Sequence, residues 1–344
     1  MFRSTADELR ALTAAIFRAA GAQHDDAELV AASLLDAELC GHQSHGLIRV
    51  PEYLRQIREG LIVPDAQPRI VKDGAATLVV DGSWGFGQLV ARRATDWVCE
   101  RAHQHGVAAV GIHRCGHVGR VGSYPQLAAD QGLVALAFVN GGGAEPRVAP
   151  HGGSRPLFGT NPLAAAVPIP DAAPVVVDFS TAVVASGKIR VLRDRGEPLP
   201  EGWVLDSEGR PTTRAEDYYD GGMLLPAAEH KGYGLCLLIE LLAGCLTGAG
   251  SVALPESGYR LGNGMFLQAV DPGAFVGVER FGALASALAE AVAGTPPASG
   301  YERVMLPGEP ERARAREAAE RGIEISDGLW RALGDAAAEL GVEA

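Results

Sequence analysis

From His24 to Cys40 the apolar residues Leu29, Val30, Leu34, Leu35 and Leu39 fall on one helical stripe. A helix before it runs from about Thr5 to Ala20, with Thr5 and Glu8 spaced as a capping box and Gly21 as its stop. Gly41 closes the second helix, because glycine accepts the left-handed conformation that ends one. Pro51 fits the first turn of a third helix, Pro51 to Glu59, where its missing N–H is not needed. The segment "GHQSHGLIR" (41–49) therefore lies at a junction between helices.

Beyond residue 70 the pattern changes. "ATLVVDGSWGFG" (76–87) reads as strand and turn, and a long helix follows from Gln88 to His105, ending at Gly106. The runs "VAAVGI", "LVALAFVN", "LAAAVPI", "VVVDF" and "GNGMFLQAV" read as strands. "HKGYGLCLLIELLAGCLTGAG" (230–250) reads as a buried apolar helix, and helical patterns recur at 275–293, 309–321 and 326–340. Strands in the middle with helices at both ends indicate an α+β fold rather than a regular doubly wound sheet. No strand is followed by G-x-G-x-x-G opening a helix, so the usual dinucleotide fingerprint is absent.

Composition narrows the class. The 344 residues suffice for one large or two medium domains. A formal net charge of −12 predicts no nucleic-acid or anionic-membrane partner. No apolar stretch approaches the length of a bilayer span. "MFRSTADELRAL" has no apolar signal core, and five scattered cysteines (40, 99, 115, 236, 245) form no C-x-x-C pair. Together these predict a cytoplasmic protein with reduced, buried thiols.

The junction holds the densest chemistry. His45 and Arg49 share one face if the segment is helical. A histidine exchanges a proton near neutral pH, and an arginine fork grips a carboxylate. Those are the two needs of 2-oxoacid reduction, with Ser44 as helper; a polar junction with a capping serine is the alternative. His42/His45, His103/His105 and His113/His117 have zinc-like spacings but no third ligand in the same element, and no metal site is assigned. A metal-dependent hydrolase or lyase and a non-catalytic binding protein stand as rivals. "GHVGRVG" (116–122) could bring backbone N–H groups and Arg120 to a phosphate. Asp178 and Ser180 end "VVVDFS", either binding a ribose hydroxyl or capping a helix that begins near Thr181. Thr160 and Asn161 stand in the turn "FGTNP". His230 and Lys231 precede an apolar helix and suggest an anion there. Glu309 and Glu311 are placed to pair with Arg312, Arg314 and Arg316.

Taken in order, "GHQSHG", "GHVGRVGSY", "FGTNP", "VVVDFSTAVVASGK", "GEPLPEGWVLDSEGRPTT", "HKGYGL" and "LPGEPE" resemble the malate/L-lactate dehydrogenase family of non-Rossmann NAD(P)-dependent oxidoreductases. "AHQHGVAAV", "GRVG" and "GKIRV" are most similar to the hydroxycarboxylate dehydrogenase B type. The resemblance implies a mostly antiparallel central sheet flanked by helices and a homodimer. It also implies a mainly helical unit of residues 1–70 with 275–344, packing on the core and the dimer partner, and an NAD(P)-binding sheet domain of 71–274. It implies hydride transfer between NAD or NADP and a 2-oxoacid/2-hydroxyacid pair. His45 maps onto the proton donor or acceptor, Ser44 onto its helper and His117 onto a second acid/base. Arg49 and Thr160 fall on the substrate side. Cofactor contacts map onto His45, Gly119, Arg120, Val121, Val176, Val177, Asp178, Phe179, Ser180, His230, Asn263, Gly308, Glu309, Pro310 and Glu311, with Lys231 beside them. Lys188 stands where the related cyclic imine reductases of the piperideine-2-carboxylate type have an aspartate, which argues against imine reduction as the main activity and leaves it as the alternative.

Overall fold

The computed structural model describes residues 2–141, 145–254 and 261–343. The chain opens with β1 (Phe2–Ser4), α1 (Ala6–Ala19), α2 (His24–Leu39) and α3 (Arg49–Arg58). Both sides of the Thr5/Glu8 capping box are formed. A hairpin, β2 (Arg69–Asp73) and β3 (Thr77–Asp81), leads into α4 (Gly87–His105) and β4 (Val107–Cys115). Then come α5 (Ser123–Ala129), β5 (Val134–Gly141), β6 (Pro162–Ile169) and β7 (Ala172–Ser180).

A small lobe follows: α6 (Ser186–Asp194), β8 (Val204–Leu205), β9 (Pro211–Thr212), α7 (Ala215–Tyr219) and β10 (Met223–Leu224). The chain returns through α8 (His230–Ile239), a π-helical continuation over Glu240–Leu246, and β11 (Asn263–Val270). It ends with α9 (Val278–Ala293), α10 (Glu309–Arg321), β12 (Ile323–Ile325) and α11 (Asp327–Glu339).

The central sheet has seven strands in the order β2-β3-β4-β11-β5-β6-β7. Every neighbouring pair is antiparallel except β3 and β4, which the α4 crossover makes parallel. The fold is thus α+β with a mainly antiparallel sheet, as the pattern and the resemblance indicate. Alternate residues of β5 (Ala135, Ala137, Val139) and β11 (Met265, Leu267, Ala269) face one core together with Val90, Ala94 and Val98 of α4. A second core gathers α1, α2, α3 and α11, with Tyr53, Phe17 and Phe86 fully buried in it. Pairing of β1 with β12 ties the two terminal segments together. The lobe has its own three-stranded sheet and a third core around Ile189, Val204 and Tyr218.

Three expectations change. The 230–250 segment is not a fully buried helix: it turns π-helical at Glu240, and Leu237, Leu238, Leu241 and Leu246 are exposed on this chain. No helix begins at Thr181; the next starts at Ser186, and Asp178 accepts from the Gly122 N–H instead. Four cysteines are buried free thiols, but Cys245 is exposed, because it lies on the same uncovered face. No helix among the described residues is long and apolar enough to cross a membrane.

Candidate active site

α2 ends at Leu39 with Cys40 as its C-cap, and the next two N–H groups turn back to its last carbonyls, Gly41 to Glu38 at 3.0 Å and His42 to Ala37 at 2.8 Å. A single 3₁₀ turn, Gln43–His45, then bridges to α3. The buried Glu38 reaches across this bridge and accepts from the Leu47 N–H at 3.0 Å. Gly46 lies flat against that carboxylate: a Cβ there would stand 2.0 Å from Glu38 Oε2. The serine–histidine–glycine step is therefore held from both ends, and it aims His45 at the loop after β4.

There His45 Nδ1 meets His117 Nε2 at 3.1 Å, with the two rings nearly parallel at 8°. His117 Nδ1 lies 2.7 Å from the Tyr53 hydroxyl, which in turn accepts from Gln88 Nε2 at 2.7 Å. Burial, then Arg49, hold the His45 ring down at about 3. The same causes, with His45, push His117 well below its ordinary value. Both rings are neutral near pH 7. Arg49 starts α3 beside them; its Nε donates to the Ser44 carbonyl at 2.6 Å and its Nη1 to Glu52 at 2.6 Å. Ser44 is exposed on the turn, and among the described residues its hydroxyl makes no hydrogen bond.

A cavity of about 720 Å³ opens nearby, bounded by Asp36, Cys40, Arg120, Val176 to Phe179, and the segment from Tyr301 to Arg312. His42 of the junction lies near its wall, with Nε2 3.9 Å from Glu311. Arg120 is 5% exposed and is bound to Asp36 through Nε (3.2 Å) and Nη2 (3.0 Å), so its charge is compensated at the cavity wall. Burial raises the Asp178 carboxyl, against the Gly122 N–H that it accepts. Gly308 has φ +90°; a Cβ there would lie 3.1 Å from Val176 Cβ and 2.8 Å from Arg312 Nη1. It opens α10, whose first turn edges the cavity. Glu309 turns away to Arg303, and Arg312 donates to the Pro174 carbonyl, so the expected pairing of these glutamates with Arg312, Arg314 and Arg316 does not form among the described residues.

The sequence-predicted residues thus divide. His45, His117, Ser44 and Arg49 form one cluster. Arg120, Val176, Val177, Asp178, Phe179, Gly308, Pro310 and Glu311 line the cavity. Gly119 backs onto Gln88, and Val121 is buried in the sheet core. Asn263 is buried; its Oδ1 accepts from the Val118 N–H at 2.9 Å and so fixes the backbone next to His117. The Thr160 carbonyl accepts from Ser180 Oγ and Thr181 Oγ1. His230 and Lys231 are exposed at the start of α8 and do not line the cavity. Sequence reasoning missed Tyr53 and Gln88. Tyr53 has one signal, its place one turn beyond Arg49 on the same helix face; Gln88 has none. Among the described residues no group of three His, Cys, Asp or Glu side chains is arranged to hold a metal ion.

Comparison with known proteins places this geometry. The profile of the malate/L-lactate dehydrogenase family matches residues 4–334. Hydroxycarboxylate dehydrogenase B of Escherichia coli K12 is 36% identical, over 99% of this chain and 95% of that protein. An L-lactate dehydrogenase of Cupriavidus necator is 38% identical over 92% of each. The structure of a sulfolactate dehydrogenase from Methanocaldococcus jannaschii superposes with a TM-score of 0.91 at 31% identity, covering 99% of this chain and 98% of that one. That of a Δ1-piperideine-2-carboxylate reductase from Pseudomonas syringae superposes at 0.86 and 30% identity, covering 98% and 100%. The chain belongs to the malate/L-lactate dehydrogenase family. Within it, this protein is a nicotinamide-dependent dehydrogenase.

Proposed function

We propose that the chain transfers hydride between NADH or NADPH and a 2-oxoacid, reversibly forming the 2-hydroxyacid. The observation that carries this reading is the juxtaposition of a neutral, hydrogen-bonded histidine pair with an arginine beside a cavity suited to a dinucleotide. Its volume lies within the ordinary range of cofactor sites. The α10 N-terminus, opened by Gly308 at the cavity edge, is the kind of helix end at which a phosphate is held. The cofactor supplies the hydride chemistry; Val176 to Phe179 with Gly308, Pro310 and Glu311 would hold it.

The protein's own part is orientation and a proton. His45 Nε2 makes no hydrogen bond among the described residues and is the atom that gives the substrate oxygen a proton; the histidine pair takes up that proton from solvent when the substrate carboxylate binds, so that donation returns the pair to its neutral state and the reverse reaction leaves it protonated. Arg49 holds the substrate carboxylate through Nη2, the guanidinium nitrogen engaged by neither Ser44 nor Glu52. A bound carboxylate offsets the field that keeps the histidines neutral and raises their affinity for a proton.

Relatives span hydroxycarboxylate, lactate and malate/sulfolactate dehydrogenases, and an NADP-dependent sulfolactate dehydrogenase of Chromohalobacter salexigens is 39% identical over 94% of each chain. The test is oxidation of NADH and of NADPH, each against a panel of 2-oxoacids and one cyclic imine. Consumption with oxoacids supports the reading; consumption with the imine alone replaces it with imine reduction, where exposed Lys188 stands in place of an aspartate. No consumption with either coenzyme ends it. The same proposal includes a homodimer. Leu237, Leu238, Leu241 and Leu246 form one uncovered apolar face, and Val278, Leu284 and Leu288 another. Light scattering that gives a monomer mass would remove this part.

A further inference from the structure

We propose that Tyr53 and Gln88 are positioning residues that lock His45 in the tautomer presenting Nε2–H to the cleft. Its catalytic consequence rests on the proposed hydride transfer; the tautomer itself does not.

The direction of the chain follows from donor and acceptor counts. Gln88 Nε2 can only donate, so the Tyr53 oxygen accepts from it at 2.7 Å. The opposite amide orientation would leave both Gln88 N–H donors without a partner among the described residues, where the present one leaves one N–H and the Oε1 acceptor. Tyr53 then has one proton to place. His117 Nδ1 lies at 2.7 Å and the His117 carbonyl at 3.5 Å, so the hydroxyl donates to the ring. With Nδ1 accepting, a neutral His117 carries its proton on Nε2 and donates it to His45 Nδ1 at 3.1 Å. A neutral His45 is left with its proton on Nε2, the nitrogen with no partner. Tyr53 is fully buried, so its hydroxyl has no water to turn to.

The consequence is a matter of polarity. A ring presenting Nε2–H donates a hydrogen bond to a carbonyl oxygen and polarises it; the other tautomer presents a lone pair and repels it. The lock is set two residues behind the ring that touches substrate, by a glutamine on α4 and a tyrosine on α3.

The test uses the ligand-free, full-length protein labelled with ¹⁵N-histidine. Two-bond nitrogen–proton correlations should show single Nε2–H tautomers for His45 and His117, and mixed tautomers in Tyr53→Phe. Turnover of Tyr53→Phe should fall at least about tenfold, the equivalent of roughly 1.4 kcal/mol, with KM for the oxoacid little changed. An Nδ1–H tautomer in the wild-type protein overturns the proposal. So does a Tyr53→Phe protein whose His45 tautomer is unchanged, whatever its turnover, or one with mixed tautomers and wild-type turnover. If Tyr53→Phe does not fold, Gln88→Leu carries the same readouts. A wild-type protein that oxidises neither coenzyme would defeat the hydride-transfer reading alone; the tautomers would still be decided by the spectra.

Discussion

The buried carboxylate of Glu240 ties the two sides of the site together, and its removal has a calculable effect. It is 4% exposed at the point where α8 turns π-helical. Oε1 accepts from Asn161 Nδ2 at 2.8 Å and Oε2 from Asn140 Nδ2 at 2.9 Å. Asn161 follows Thr160, while Asn140 receives the Gly264 N–H and Asn263 Nδ2 beside the His117 loop. Hydrogen bonds to a charged partner contribute about 1.5–3 kcal/mol each. Both asparagines keep one carbonyl partner, Cys236 for Asn161 and Gly250 for Asn140, so neither is wholly stranded. Glu240→Leu should therefore destabilise by about 3–4 kcal/mol, near the lower end of two lost bonds. Glu240→Gln keeps one acceptor and turns an amide N–H₂ toward the other asparagine, a loss of roughly half as much. Urea unfolding followed by circular dichroism reads both as shifts in midpoint at constant slope. A Glu240→Leu protein within about 0.5 kcal/mol of wild type, the range of ordinary surface changes, would refute the reasoning; equal losses in the two variants would refute the count of bonds.

His45→Ala should lose about 10²- to 10⁴-fold in turnover with an unchanged circular dichroism spectrum; wild-type turnover removes His45 from its role. Arg49→Met should mainly raise KM for oxoacids, and an unchanged KM would mean that the carboxylate is held elsewhere. Both histidines have folded-state proton affinities below the unfolded value of 6.5, so the unfolded chain binds more protons and stability falls as pH drops below that value. Below pH 6.5 each ring that stays neutral in the folded protein while its unfolded counterpart is protonated contributes a slope of up to roughly 1.4 kcal/mol per pH unit; His117→Asn should flatten the urea midpoint's pH dependence, and an unflattened profile counts against the buried neutral pair. Gly308→Ala places a Cβ against Val176 at positive φ and should lower stability by about 1 kcal/mol or more and weaken coenzyme binding; unchanged coenzyme affinity would move the cradle elsewhere.

Several elements follow from local signals alone. The capping box at Thr5, the stop at Gly41 and the proline in the first turn of α3 act within a few residues, so they read directly from spacing. They place Ser44, His45 and Arg49 at a helix junction. The five longer strands on which the sheet depends were likewise legible, because their apolar runs are β-rich and bounded by turn residues. The two-residue strands β8, β9 and β10 were not; two residues carry no period.

What the sequence determined by itself was which elements form and which side chains capable of chemistry they carry. Only the tertiary structure decided which of those side chains meet. Tyr53 and Gln88 are 35 positions apart, and His45 and His117 are 72. Arg120 looked like a free charge for a phosphate until α2 supplied Asp36, 84 residues away. Hydrogen bonds and ion pairs act over about 3 Å whatever the separation along the chain, and it is packing of the sheet against α2, α3 and α4 that brings such partners within that reach.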